Sequence, residues 1–235
     1  MPATQHSAPV APALPTSLGE KLLDLIACPG EVFEEVAAAA PTPVNWRLPT
    51  LLVCLTNAIL LNTAPLKAQA ASALQLMAQA PNILPADAVM ASSNFQLIAT
   101  LTACAAAFAG TFWSALVLWF MGRMVLKIRF SYWKSLEVAG LSASILVLGA
   151  SFTALLMTLS DNVTARPALS LLLLKSHSND RLRAFLETFN VFHLWTTALL
   201  AIGLSKLSAT SFKESAFWVF GYWVLLRLLL SLLAG

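Results

Sequence analysis

His193 stands beside Trp195, Thr196 and Thr197 in FNVFHLWTTALLAIGLSKLS, at the start of an otherwise apolar run. An imidazole with neighbouring hydroxyls could relay protons or act as a general base, provided an acid or a nucleophile shares its face. Glu187 lies six residues earlier, off that face. No nucleophile-elbow pattern and no HExxH pair accompanies it. His193 therefore reads as an interfacial histidine at a helix end, bonded to water, headgroups or Asn190.

Arg227 is the other group of note, because it interrupts an apolar stretch near the C-terminus. A charge at membrane depth costs roughly 2.5–3.5 kcal/mol on insertion scales and faces protein or water. Its stem could snorkel to the outer interface, or Glu187 or Asp161 could pair with it. With Asn57 and His193 it could instead line a polar path for a solute. Cys28, Cys54 and Cys104 are odd in number and widely spaced, which fits small buried hydrophobes better than a metal or redox site. No catalytic residue, metal or cofactor is expected.

Such groups need a scaffold, and the composition says which solvent it meets. Only 11% of the 235 residues are charged, and 58% are hydrophobic. A soluble domain carries about 25% charge to wet its surface. The chain therefore reads as an all-α integral membrane protein, since lipid-exposed backbone must satisfy its own hydrogen bonds. Five stretches reach spanning length, at about 48–64, 97–121, 138–159, 189–207 and 215–234. They form a five-helix transmembrane domain over 41–235. Tryptophans 46, 119, 133, 195 and 218 fall near span ends, as interfacial anchors do, whereas Trp113 lies deeper.

Residues 17–40 form an N-terminal pair of amphipathic helices on the cytoplasmic surface. Ser17 and Glu20 have capping-box spacing, and Pro29 suits the first turn of the second helix. Residues 1–16 read as a disordered Pro/Ala-rich tail without the basic start or apolar core of a signal peptide. PLKAQAASALQLMAQAP suggests a short helix packed on the bundle, followed by a loop.

Lys and Arg in the flanking loops favour a cytoplasmic N-terminus and an external C-terminus. The main contribution is the loop GRMVLKIRFSYWK, with Arg123, Lys127, Arg129 and Lys134. The helix pair is acidic, with Glu20, Asp24, Glu31, Glu34 and Glu35 against Lys21. An acidic surface helix gains nothing from anionic lipid, so the pair is expected to dock on that basic loop. Small residues at every fourth position let helices approach closely in lipid. Thr102, Ala106, Gly110 and Ser114 have that register, as do Thr197, Ala201 and Ser205, so the second and fourth spans are expected to pack tightly together.

The order of these features resembles the Yip (Ypt-interacting protein) membrane domain family, in a form similar to its prokaryotic branch. CPGEVFEEVAAAAPTPVNWRLPTLL looks like its surface helix and first span. GRMVLKIRFSYWKSL is similar to its basic turn, and VFHLWTTALLAIGLSKLSATS to its fourth span, with Phe192, Trp195, Leu199, Gly203 and Leu204 in its pattern. The resemblance implies five spans and no catalytic residues. Eukaryotic members bind Rab-type GTPases in membrane traffic and have a longer cytoplasmic region with an Asp-Leu-Tyr-Gly-Pro motif that this chain does not show, so that partner is not carried over. The resulting expectation is a non-enzymatic scaffold or adaptor of a bacterial inner membrane. Its partners would be the lipid bilayer and a membrane protein, a second copy included, with no role for nucleic acid. The alternative is a small transporter or channel subunit.

Overall fold

The computed structural model describes residues 16–61, 93–160, 167–168 and 189–233. Within them lie seven α-helices: α1 (Leu18–Ala27), α2 (Pro29–Ala38), α3 (Val44–Leu61), α4 (Ser93–Phe120), α5 (Tyr132–Ser160), α6 (Val191–Ser208) and α7 (Phe212–Leu233). The tail 1–15, the segment around Leu66 to Pro81 with its following loop, and Asp161, Arg166 and Glu187 lie outside the described residues.

Local chemistry sets the helix ends. Ser17 Oγ accepts from the Glu20 amide at 3.3 Å, and Glu20 Oε2 accepts from the Ser17 amide at 2.8 Å, which completes the capping box. Pro29 opens α2, where its missing N–H costs nothing. α4 continues as a π-helical turn, Met121–Val125, with the Leu126 amide donating to the Met121 carbonyl at 3.0 Å. The basic loop then folds back so that Phe130 occupies the place a Cβ on Gly122 would take, 2.2 Å away. α6 ends at Ala209, whose φ of 52° is left-handed, a role usually filled by glycine.

α5 is the hub of the bundle. α3 and α4 pack on it and on each other, forming one arm, while α6 packs on it and carries α7 as the other arm. Glycines mark the closest approaches. A Cβ on Gly140 would meet the Trp46 Cα at 2.3 Å, so α3 backbone lies directly against α5. A Cβ on Gly203 would meet Val138 Cγ1 at 2.2 Å, and one on Gly149 would meet Phe192 at 2.9 Å. Gly203 and Phe192 thus bring α6 onto α5.

The tight seam expected between the second and fourth spans is not what forms. α4 and α6 are not a closely packed pair, and a Cβ on Gly110 would meet nothing within 4 Å. Small residues permit close approach without choosing the partner. Here α5, which has its own glycines, takes that place on both sides.

Among the described residues, four helices are long and apolar enough to cross a membrane: Val44–Leu61, Leu97–Val125, Tyr132–Leu159 and Val191–Ser208. The chain is an integral membrane protein. α7 has 22 residues but includes Lys213, Glu214 and Arg227, and it is not among those four. The chain reverses direction between successive long helices. One end of the bundle thus gathers α1, α2, the starts of α3, α5 and α7, and the ends of α4 and α6.

Candidate functional site: a clamped hairpin and a polar cleft

At that end α1 and α2 form a hairpin seated mainly on α6 and α5. Leu25 and Phe33 are 0% exposed and Val36 is 1% exposed, and all three join the core with Leu141, Leu199 and Leu204. Burial of such side chains stabilises by about 1.5–3 kcal/mol each, so apolar packing holds the hairpin down. Polar contacts fix its position. Glu34 Oε2 accepts from Lys206 Nζ at 2.6 Å, an exposed pair that sets register more than strength. Glu35 pairs with Lys21 inside the hairpin at 3.1 Å and accepts from Thr16.

Lys134 is the member of the basic loop that reaches the hairpin, donating to the Val36 carbonyl while buried to 8% exposure. Its Nζ also lies 3.1 Å from Glu137 Oε2. The other Glu137 oxygen accepts from the Thr42 amide at 2.6 Å and from Asn45 Nδ2 at 2.9 Å. A fully buried carboxylate survives here because a cation and two donors surround it. Arg123, Lys127 and Arg129 remain exposed, with Arg123 stacked 5.4 Å from the Trp119 ring. The docking expected on the whole loop is therefore restricted to Lys134, and Lys206 on α6 takes the acidic contact instead. Only an i, i+3 spacing from Lys134 hinted at Glu137, which reads from sequence as the boundary of a span.

Outside the membrane-spanning helices, three carboxyls are held below their ordinary value. Hydrogen bonds from Ser17 lower Glu20, and the Lys206 hydrogen bond and charge lower Glu34. Partial burial pushes Glu35 up, but hydrogen bonds from Thr16 and Lys21 outweigh it.

Towards the other end, the two arms diverge around a cavity of about 550 Å³. α4 contributes Ala106, Gly110 and Ser114, and α6 contributes His193 and Thr197. Asn57 of α3 and Arg227 of α7 complete its polar edge. Three residues set at opposite ends of the sequence, Asn57, His193 and Arg227, therefore share one space. His193 lines this cleft rather than a lipid interface, and Asn190 serves as the α6 cap, accepting from the Phe192 amide at 2.9 Å. Arg227 lies 5.7 Å over the Trp223 ring one turn earlier, a cation–π contact.

The threonine hydroxyls are already used within their helices. Thr196 donates to the Phe192 carbonyl at 2.9 Å and Thr197 to the His193 carbonyl at 2.8 Å. No Asp or Glu is among the described residues that line the cleft with His193. No cluster of metal-ligating side chains occurs among the described residues. Of the other small residues, Thr102 is exposed, Ala201 is wholly buried in the core, and Ser205 bonds to the Ile202 carbonyl at 2.7 Å. Trp195 packs against that same core.

Below the cleft Trp113 Nε1 donates to Tyr222 Oη at 2.7 Å, tying α4 to α7. Nothing in the local sequence pattern announces that bridge, because 109 residues separate its ends. A second cavity of about 610 Å³ adjoins it, lined by Leu116, Phe120, Phe217, Trp218, Leu225 and their neighbours.

A family model described as Yip1 domain matches residues 23–235. No curated protein and no solved structure matches the chain.

Proposed function

The chain belongs to the Yip1 domain family, and on that basis we propose that it works as a non-enzymatic membrane scaffold or adaptor that presents its acidic N-terminal hairpin at one membrane face. The observation that carries this reading is the clamp on α1 and α2. Leu25, Phe33 and Val36 are sunk into the bundle, while Leu23, Asp24 and Glu31 face outwards on a fixed base. A platform fixed in this way offers a partner a surface that is already ordered, which lowers the entropic cost of binding.

In this reading α7 is the fifth span, with Lys213 and Glu214 at its wet end. The exposed Arg123, Lys127 and Arg129 support a cytoplasmic hairpin end by the bias of basic residues to that side, and the reading takes the membrane to be a bacterial inner membrane with the C-terminus outside. The alternative, a transporter or channel subunit, draws on the cleft that reaches Arg227. One turn closer to the hairpin than Ser114, Ala139 and Leu200 of the lining, however, come the buried leucines Leu118, Leu136 and Leu204. Apolar burial at that level favours a pocket over a conducting path.

A photo-crosslinking residue at Leu23 or Glu31, introduced into the full chain in native membranes, tests the adaptor reading. It should give a discrete protein adduct that disappears when Phe33→Glu, which puts a charge into the buried face of α2, unseats the hairpin. Lipid adducts alone, or an adduct unaffected by Phe33→Glu, would refute it.

A further inference from the structure

We propose that the cleft between the arms, with the apolar groove beside it, is a binding site for one anionic phospholipid of the surrounding bilayer, its phosphate held by Arg227.

Charge is the first argument. Arg227 and His193 line the cleft together with the amide of Asn57, and no Asp or Glu is among its described lining residues. A guanidinium at membrane depth with no carboxylate among the described lining residues suits an anion, and its planar fork matches phosphate oxygens. The Trp223 ring 5.7 Å away steadies the cation without neutralising it.

Shape is the second argument. Six residues of α7 separate Arg227 from Leu233, about 9 Å at the standard rise. That places the guanidinium within reach of the headgroup layer at the end away from the hairpin. From Arg227 back to Phe217 the helix runs ten residues, roughly 15 Å, or half of a hydrocarbon core of about 30 Å. The head site and the groove therefore cover about one leaflet.

The lining changes in the same direction. The upper cavity carries the polar groups, whereas the lower one is bounded by Leu116, Phe120, Phe217, Trp218 and Leu225. Ser114 and Trp223 line the first, and their chain neighbours Trp113 and Tyr222 line the second, so the two spaces adjoin along α4 and α7. Each lies in the 300–1,000 Å³ range of ordinary ligand sites. A head that meets Arg227 and a chain that follows α7 would occupy both. Gly110 supplies the room, since a Cβ there would meet no atom within 4 Å.

The test uses the full chain in detergent, incubated with equimolar phosphatidylglycerol and phosphatidylcholine and read by native mass spectrometry. The wild type should retain phosphatidylglycerol in preference to phosphatidylcholine, because both offer the phosphate but only phosphatidylcholine brings a quaternary ammonium, whose charge Arg227 repels. Arg227→Gln should abolish the preference and Arg227→Lys should keep most of it. Gly110→Leu, which fills the head space from a different helix, should lose the lipid while the helical fold persists. Equal retention of the two lipids, or an unchanged preference in Arg227→Gln, would overturn the proposal. Displacement of phosphatidylglycerol by inorganic phosphate would overturn it too, by assigning the site to a soluble anion.

Discussion

Trp113 and Tyr222 join the two arms of the bundle, with the indole N–H 2.7 Å from the phenol oxygen. Both arms rest on α5, so this bridge sets how far the cleft above it opens. Trp113→Phe or Tyr222→Phe removes the bridge and leaves a polar group facing lipid. Interhelical hydrogen bonds in bilayers contribute about 0.6 kcal/mol on average and up to about 1.7 kcal/mol. Either single change should lower stability by about 1 kcal/mol. The double variant should cost no more than the worse single one, as measured by a double-mutant cycle of thermal unfolding in detergent.

The glycines sort by what lies opposite them. Gly140→Ala drives a Cβ into the Trp46 backbone, and Gly203→Ala drives one into Val138. Overpacking of this kind costs about 1–3 kcal/mol, with Gly140 the more severe because backbone cannot rotate away. Gly110→Leu should leave the melting temperature unchanged in lipid-free detergent. A loss at Gly110 equal to that at Gly140 would restore the α4–α6 seam that the small-residue register suggests.

Glu137 is 1% exposed and sits against Lys134, Thr42 and Asn45. Glu137→Leu leaves Lys134 buried without its carboxylate, which costs about 3–5 kcal/mol. Adding Lys134→Met should recover part of that loss, because two apolar side chains leave no unpaired charge. Thermal unfolding of the single and double variants checks both outcomes.

Acid should loosen the hairpin's polar contacts before it unfolds the bundle. Glu20, Glu34 and Glu35 are all held below their ordinary value of 4.5. A carboxyl whose pKa is lower when folded stabilises above the unfolded value and stops doing so as pH falls through the folded one. Hydrogen-exchange protection over residues 18–38, corrected for the intrinsic pH dependence of amide exchange, should therefore be high at neutral pH and fall as pH drops below 4.5, while α5 stays protected. If α1 and α2 lose protection only together with α5, the clamp does not depend on these carboxylates.

Much of the scaffold is legible in the sequence because lipid leaves few options. Long apolar runs between charges locate α3 to α6, and the Ser17–Glu20 spacing and Pro29 mark the starts of α1 and α2. Helix partners are less legible. The register of Thr102, Ala106, Gly110 and Ser114 says that α4 has a smooth face, yet that face lines a cavity. Gly140 and Gly203 carry the real approaches, and each depends on which residue lies across from it. The cleft joins Asn57, His193 and Arg227 from three helices, a meeting that no local spacing encodes. Glu137 was hidden for a related reason, because a charge near a helix start reads as an interface until its partners are known.

The adaptor reading depends most on the hairpin being held against the bundle in a membrane. Distance-limited crosslinking measures this directly, with Cys28, Cys54 and Cys104 replaced by serine and new cysteines at Glu34 and Lys206. In native membranes a short bis-maleimide should join positions 34 and 206 rapidly. A pair at Leu23 and Lys206 should stay unlinked, because Leu23 is 71% exposed on the outer side of the hairpin. Equal linking from both positions, or none from 34, would show that the hairpin is not clamped and would contradict the account.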